Sequence, residues 1–137
     1  MPEEGGRPAA NRVEPGKRPR SAMSPTLVFD RKGELYLTLG AAGGPAIINY
    51  TARALVGVLD GRLSLQQAFA APNMGSRNRD TEIEQGSALE GIATALRALG
   101  HPVDAVQMVS GLHGVMRSVR GLTGGADPRR EGVALGE

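Results

Sequence analysis

The sequence predicts an α+β fold in which antiparallel strands carry packed helices, and three observations lead there. A hairpin pattern around residue 30 is followed by two stretches of helical periodicity, and strand-like runs return after residue 80. The 137 residues are 40% hydrophobic but only 3% aromatic, with no Trp. Such a core is aliphatic and suits layers of helix on sheet better than a platform for stacking bases. At this length a single domain is the simplest organisation.

The elements follow in chain order. Residues 1–20 hold four of the nine prolines and, besides alanine, only Met1 and Val13 as apolar side chains. That is the composition of a flexible lead segment, which leaves 21–137 as the domain proper. "TLVFDRKGELYLTL" gives two β-rich runs, 26–29 and 34–39, around Asp30-Arg31-Lys32-Gly33, where Gly33 can supply the positive φ of a short loop. Nearly every position of both runs is apolar, which predicts strands covered on both faces. Ile47, Ile48, Thr51, Leu55, Val58 and Leu59 recur near helical spacing, so 45–59 reads as a helix. Ser64 with Gln67 three residues later forms a capping box for a short second helix that stops at Pro72. "NMGSRNRD" is turn-rich, 81–85 reads as a strand, and 88–99 as a third helix stopped by Gly100. Two further strands, 103–109 and 114–120, are joined through "SGLH"; "GLTGGADPRREGVALGE" then reads as turn chemistry before a last strand at 132–135.

Composition also excludes function classes. With no Cys, disulfides, thiolate nucleophiles and Cys-ligated metals are ruled out. A net charge of +2 and basic residues without interleaved aromatics predict no nucleic-acid partner, and Lys17, Arg18 and Arg20 read as a solvated segment. No stretch is long and apolar enough to span a bilayer, and the N-terminus lacks the apolar core of a secretory signal, so a soluble chain without membrane contact is expected. Cytoplasmic residence follows if Met1 is the native start, whereas a longer precursor is compatible with a periplasmic or secreted protein. His101, between Gly100 and Pro102, reads as a surface residue, and His113 lacks the neighbours of a metal site; no metal or other cofactor is expected. Asn49-Tyr50-Thr51 matches a glycosylation acceptor but falls inside the predicted helix. Glu82, Glu84 and Glu90 read as a solvated edge, and Asp127-Pro128-Arg129-Arg130 as a structural turn with ion pairs.

One stretch carries chemistry. In "LGAAGGPAII" a strand passes into a helix through Gly43 and Gly44, followed at once by Pro45. Missing side chains let the backbone approach a ligand, and the first free N–H groups of a helix attract negative charge. Pro45 has no N–H, which is harmless at a first helical position. Such a place can hold a phosphate, a carboxylate or the oxyanion of a tetrahedral intermediate, although spacing alone favours a tight strand-to-helix turn with no ligand.

Two further stretches bear on that choice. "PGKRPRSAMSPT" at 15–26 and "GGADPRREG" at 124–132, together with "GAAGGPAII", in this order and at these distances, resemble the small-subunit end of the γ-glutamyltranspeptidases, also called γ-glutamyltransferases or glutathione hydrolases. The resemblance runs from about Asn11 to Glu137. It implies the C-terminal portion of an N-terminal-nucleophile hydrolase, an αββα sandwich whose precursor cuts itself before a threonine. That threonine takes a γ-glutamyl group, as from glutathione, and passes it to water or an amino acid. The resemblance makes Gly43 and Gly44 oxyanion donors. It makes Ser21-Ala22-Met23 the segment that binds the substrate's α-carboxylate, with Ala22 replacing the second serine of the family's Ser-Ser-Met. The nucleophilic threonine, the groups that hold the α-amine and the large-subunit arginine are implied upstream. Thr26, Thr38 and Thr51 are interior residues without a free α-amine. This chain alone is therefore expected to be inactive, its core completed by an upstream large-subunit-like polypeptide or by self-association. The alternative is a stand-alone, non-catalytic module that binds a carboxylate or γ-glutamyl compound, or a decayed remnant.

Overall fold

The computed structural model describes residues 3–19 and 22–136. In the lead segment β1 (Glu3–Glu4) and β2 (Arg7–Pro8) form a small antiparallel ribbon. The predicted hairpin is present as β3 (Thr26–Phe29) and β4 (Leu35–Gly40). Its turn is locked by Asp30, whose Oδ1 accepts from the N–H groups of Lys32 and Glu34, while Arg117 reaches both Asp30 and Glu34. Its carboxyl sits below the usual range, chiefly because the Glu34 N–H donates to it.

Four strands make the main sheet, in the order β3-β4-β8-β9, all antiparallel, where β8 is His113–Ser118 and β9 is Gly121–Ala126. One face is covered by α1 (Ile47–Leu59) and α2 (Leu65–Ala70). Helix α1 buries Ile47, Tyr50, Thr51, Ala54 and Val58, an apolar stripe at the spacing of a helix on a sheet. It is entered through a 3-10 turn at Gly44–Ala46, so the predicted helix from 45 begins in tighter geometry. Helix α2 carries the expected capping box between Ser64 and Gln67. Its Phe69 is fully buried against Gly114 and Gly125, where a Cβ would come within 3.1 Å of the ring.

These packing glycines correct one expectation. Residues 121–126 looked like turn chemistry but form β9, because glycine on the core face leaves the space that Phe69 fills. The last strand expected at 132–135 is absent; that segment lies over β9, with Ala134 packed on Gly124. The expectation that the hairpin strands are covered on both faces also fails within these residues, since Leu27 and Phe29 are 62% and 57% exposed.

A second, three-stranded sheet holds β5 (Met74–Gly75), β6 (Thr81–Glu84) and β7 (Val103–Val106). The β6–β7 pair is parallel, so not every strand pairing is antiparallel as predicted. Their connection contains a 3-10 segment, Ala88–Ile92, and α3 (Ala93–Ala98), in place of one continuous helix; Gly91 weakens the α-helix there. Ile83, Ala93 and Val103 form a small core of their own. The chain leaves β7 after Val106, three residues before the predicted end, because β7 and β8 belong to different sheets and residues 107–112 must cross between them. Among the described residues no helix is long and apolar enough to cross a membrane.

Candidate active site

Register decides what meets at the end of the main sheet. Thr26 pairs with Leu39, Gly40 with His113, and His113 with Ala126. Segments 22–25, 41–46, 109–112 and 127–130 therefore all leave the sheet at the same end. Three of them carry the residues singled out from sequence, and the fourth, 109–112, was read only as a connector.

Gly43 and Gly44 form the turn into α1, with φ of 137° and 57°. Both values lie where side-chain-bearing residues are disfavoured. The Gly43 carbonyl accepts from the Ala46 N–H, and the Gly44 carbonyl from Ile47. Among the described residues the N–H groups of Gly43 and Gly44 have no acceptor, and Pro45 has no N–H to compete. Two adjacent free donors thus stand at a helix start. Beneath them lies the Tyr50 ring, against which any Cβ at Gly43 would collide. Tyr50 is 6% exposed; burial, then the nearby carboxylates of Glu82 and Glu84, raises its phenol above the usual range and keeps it neutral.

The turn is tied to its neighbours through Ala42, whose N–H donates to the Gly111 carbonyl at 3.1 Å. Gly111 sits in a loop held by a buried carboxylate. Asp127, with no exposed surface, accepts from Ser110 Oγ and from the Leu112 N–H on one oxygen, and from the Arg129 N–H and guanidinium on the other. Burial alone would raise its pKa, but these donors outweigh burial and hold it below the usual carboxylate range. Ser110 Oγ also accepts from Asn73, and Asn73 in turn accepts from Arg53. Arg129 completes the cluster, pairing with Asp127 and with both oxygens of Glu84 while donating to the carbonyls of Phe69, Ala70 and Ala71.

The expected ion-paired turn at 127–130 is present, but its depth is new. Glu84 is not part of a solvated edge: it is half-buried, and its carboxylate binds Arg129 and Asn73. Its cationic partner Arg129 lies 45 residues further along the chain, which hid this role. Asn73 and Ser110 are fully buried polar residues that sequence reasoning missed; a lone Asn after a proline and a Ser before a glycine look like turn residues. Of the predicted carboxylate-binding segment, Arg20 before it and Ser21 lie outside the described residues, Ala22 is half-buried, and Met23 is largely exposed. His101 is exposed, and His113 is exposed beside Gly132. Among the described residues no three His, Asp or Glu side chains come together as a metal site.

An antiparallel sheet layered with helices makes this an α+β chain, and its likeness to solved γ-glutamyltranspeptidase structures gives it the N-terminal-nucleophile hydrolase fold. The solved structure of the gamma-glutamyltranspeptidase from Pseudomonas nitroreducens complexed with L-DON superposes with a TM-score of 0.79 over 94% of this chain and 69% of that one, at 28% identity. The sequence signature of the gamma-glutamyltranspeptidases matches residues 3–137, and the chain belongs to that family. Among curated relatives, a glutathione hydrolase proenzyme of Pseudomonas aeruginosa is 33% identical over 131 residues, covering 92% of this chain and 23% of the relative. An acylase ACY 1 proenzyme of a Pseudomonas species is 33% identical over 125 residues, covering 90% and 22% respectively. The chain thus spans less than a quarter of the length of these two relatives.

Proposed function

We propose that this chain supplies the oxyanion-stabilising part of a γ-glutamyltransferase-type site, acting on γ-glutamyl compounds such as glutathione. The observation that supports it most is the pair of unclaimed N–H groups at Gly43 and Gly44, held by positive φ at the start of α1. Donors fixed in this way cost no reorganisation when charge develops on a carbonyl oxygen under attack. The threonine nucleophile of the family resemblance lies outside these 137 residues, so a second segment must bring it to the sheet end. Leu27, Phe29 and Leu122, all largely exposed, give such a segment an apolar surface to cover. Ala22 and Met23 lead into β3 at that same end, and the Ser21-Ala22-Met23 segment is assigned the α-carboxylate, with one hydroxyl fewer than the family's Ser-Ser-Met.

The test is release of p-nitroaniline from γ-glutamyl-p-nitroanilide by the protein as its gene encodes it, including whatever lies upstream of Met1. Gly44→Ala meets no atom within 4 Å but places alanine at a φ of 57°, and relaxation of that backbone strain turns the Gly44 N–H out of line, which is expected to lower kcat by about 10²-fold. An unchanged kcat would remove Gly44 from the oxyanion site. Binding of glutathione with no turnover by the natural gene product would instead establish the non-catalytic module.

A further inference from the structure

Beyond the two glycines, the structure carries a physical route by which a residue far along the chain fixes their geometry. Ala42 precedes the donor pair, and its N–H is bound by the Gly111 carbonyl. Gly111 has little freedom: a Cβ there would lie 3.0 Å from Ala42 Cβ and 2.7 Å from Arg130 Cδ. On either side of it, Ser110 Oγ and the Leu112 N–H both donate to Asp127 Oδ2, and the Asp127 N–H returns a bond to the Leu112 carbonyl at 2.8 Å. Asp127 therefore grips the loop before and after the one carbonyl that anchors the glycine turn.

We propose that Asp127 is a positioning residue: through Ser110 and Leu112 it fixes the Gly111 carbonyl, which orients the Ala42 peptide and with it the N–H groups of Gly43 and Gly44. This rests on the reading of those glycines as oxyanion donors. A carboxylate is suited to the task because one oxygen accepts two donors of the loop while the other is neutralised by Arg129, so the group stays charged although fully buried. Asp127 touches no substrate in this role; its effect on the reaction passes through the backbone.

The experiment has two readouts on the variants Ser110→Ala and Asp127→Asn. Amide hydrogen exchange in the full chain compares Ala42 with Ala54, a buried residue of α1. The expected result is Ala42 exchanging at least tenfold faster in each variant relative to Ala54, since the loop is loosened while the helix is not. The second readout is turnover by the natural gene product, where a donor pair misaligned only toward the transition state lowers kcat by about tenfold with KM within about twofold. Ser110→Ala removes one hydroxyl and keeps the test intact where Asp127→Asn fails to fold. Exchange that rises equally at Ala42 and Ala54, or a kcat unchanged in Ser110→Ala, overturns the positioning role. Gly44→Ala separates the two ideas: if it lowers kcat while Ser110→Ala does not, the oxyanion reading stands and only the positioning role falls. If Gly44→Ala itself leaves kcat unchanged, the oxyanion reading falls.

Discussion

The substitution Gly43→Ala isolates the physics of the donor turn. At φ 137°, ψ 19°, alanine is held in sparsely populated backbone space, a strain of about 1–3 kcal/mol. Its Cβ would lie 2.5 Å from Tyr50 Cε2 and 3.1 Å from Cδ2, whereas unstrained carbon pairs sit at about 3.5–4.0 Å. The Tyr50 ring belongs to the main core cluster with Leu37, Leu39 and Phe69, so it cannot swing away, and overpacking adds about 1–3 kcal/mol. The reduced freedom of the unfolded alanine chain returns about 0.4–1 kcal/mol, leaving a net loss of about 1–6 kcal/mol. Gly44→Ala meets no atom and carries only the left-handed penalty of about 1–2 kcal/mol, less the same return. Urea denaturation of the two variants measures the difference, and the double variant Gly43→Ala/Tyr50→Leu measures the contact itself. The planar ring is replaced by a smaller side chain, so the cycle is expected to show at least 1 kcal/mol of mutual relief. If Gly43→Ala costs no more than Gly44→Ala, or if the cycle shows no coupling, the ring does not support the turn.

Other predictions follow from the same contacts. Ser64→Ala removes the side-chain acceptor of the capping box and is expected to lower the unfolding free energy by about 1 kcal/mol in a denaturant titration. Glu84→Leu leaves the Arg129 guanidinium half-paired in a site where its side chain is only 13% exposed, and a loss of about 3–5 kcal/mol is expected, read as a lowered urea midpoint. The pKa of Asp127 is depressed on folding, so its contribution is fully present above the unfolded Asp value of about 3.9 and is lost as pH falls through the lower folded value. Stability measured from pH 6 downward should decline more steeply in the parent than in Asp127→Asn below about pH 4, and parallel curves would exclude this carboxylate as a source of acid sensitivity.

What the sequence disclosed, and what it hid, follows the range of the interactions involved. The hairpin, the capping box and the glycine turn are written in residues that lie within four positions of one another, so local rules reach them. The strand β9 was hidden because Gly124 and Gly125 are there for Ala134 and Phe69, partners distant in sequence or not yet placed. Glu84 was misread for a related reason: its partner Arg129 is 45 residues away, in the turn after β9, and nothing local to β6 announces it. The glycine pair is legible as a donor turn, but not the loop that holds it, since Ser110, Gly111 and Asp127 declare their roles only when β8 and β9 are paired.

The same network explains how the two sheets are held in one orientation. The main core of Leu37, Leu39, Tyr50 and Phe69 and the smaller core of Ile83, Ala93 and Val103 share no residue, so apolar burial does not lock one against the other. The bridge is polar: Glu84 on β6 and Asn73 before β5 meet Arg129 and Ser110 beside the main sheet. Apolar contacts of similar area tolerate sliding and repacking, whereas a guanidinium bonded to two carboxylates and three carbonyls has one arrangement. Asp127 belongs to this bridge and also to the loop behind Gly43, so the positioning role proposed for it ties the donor pair to the orientation of the two sheets.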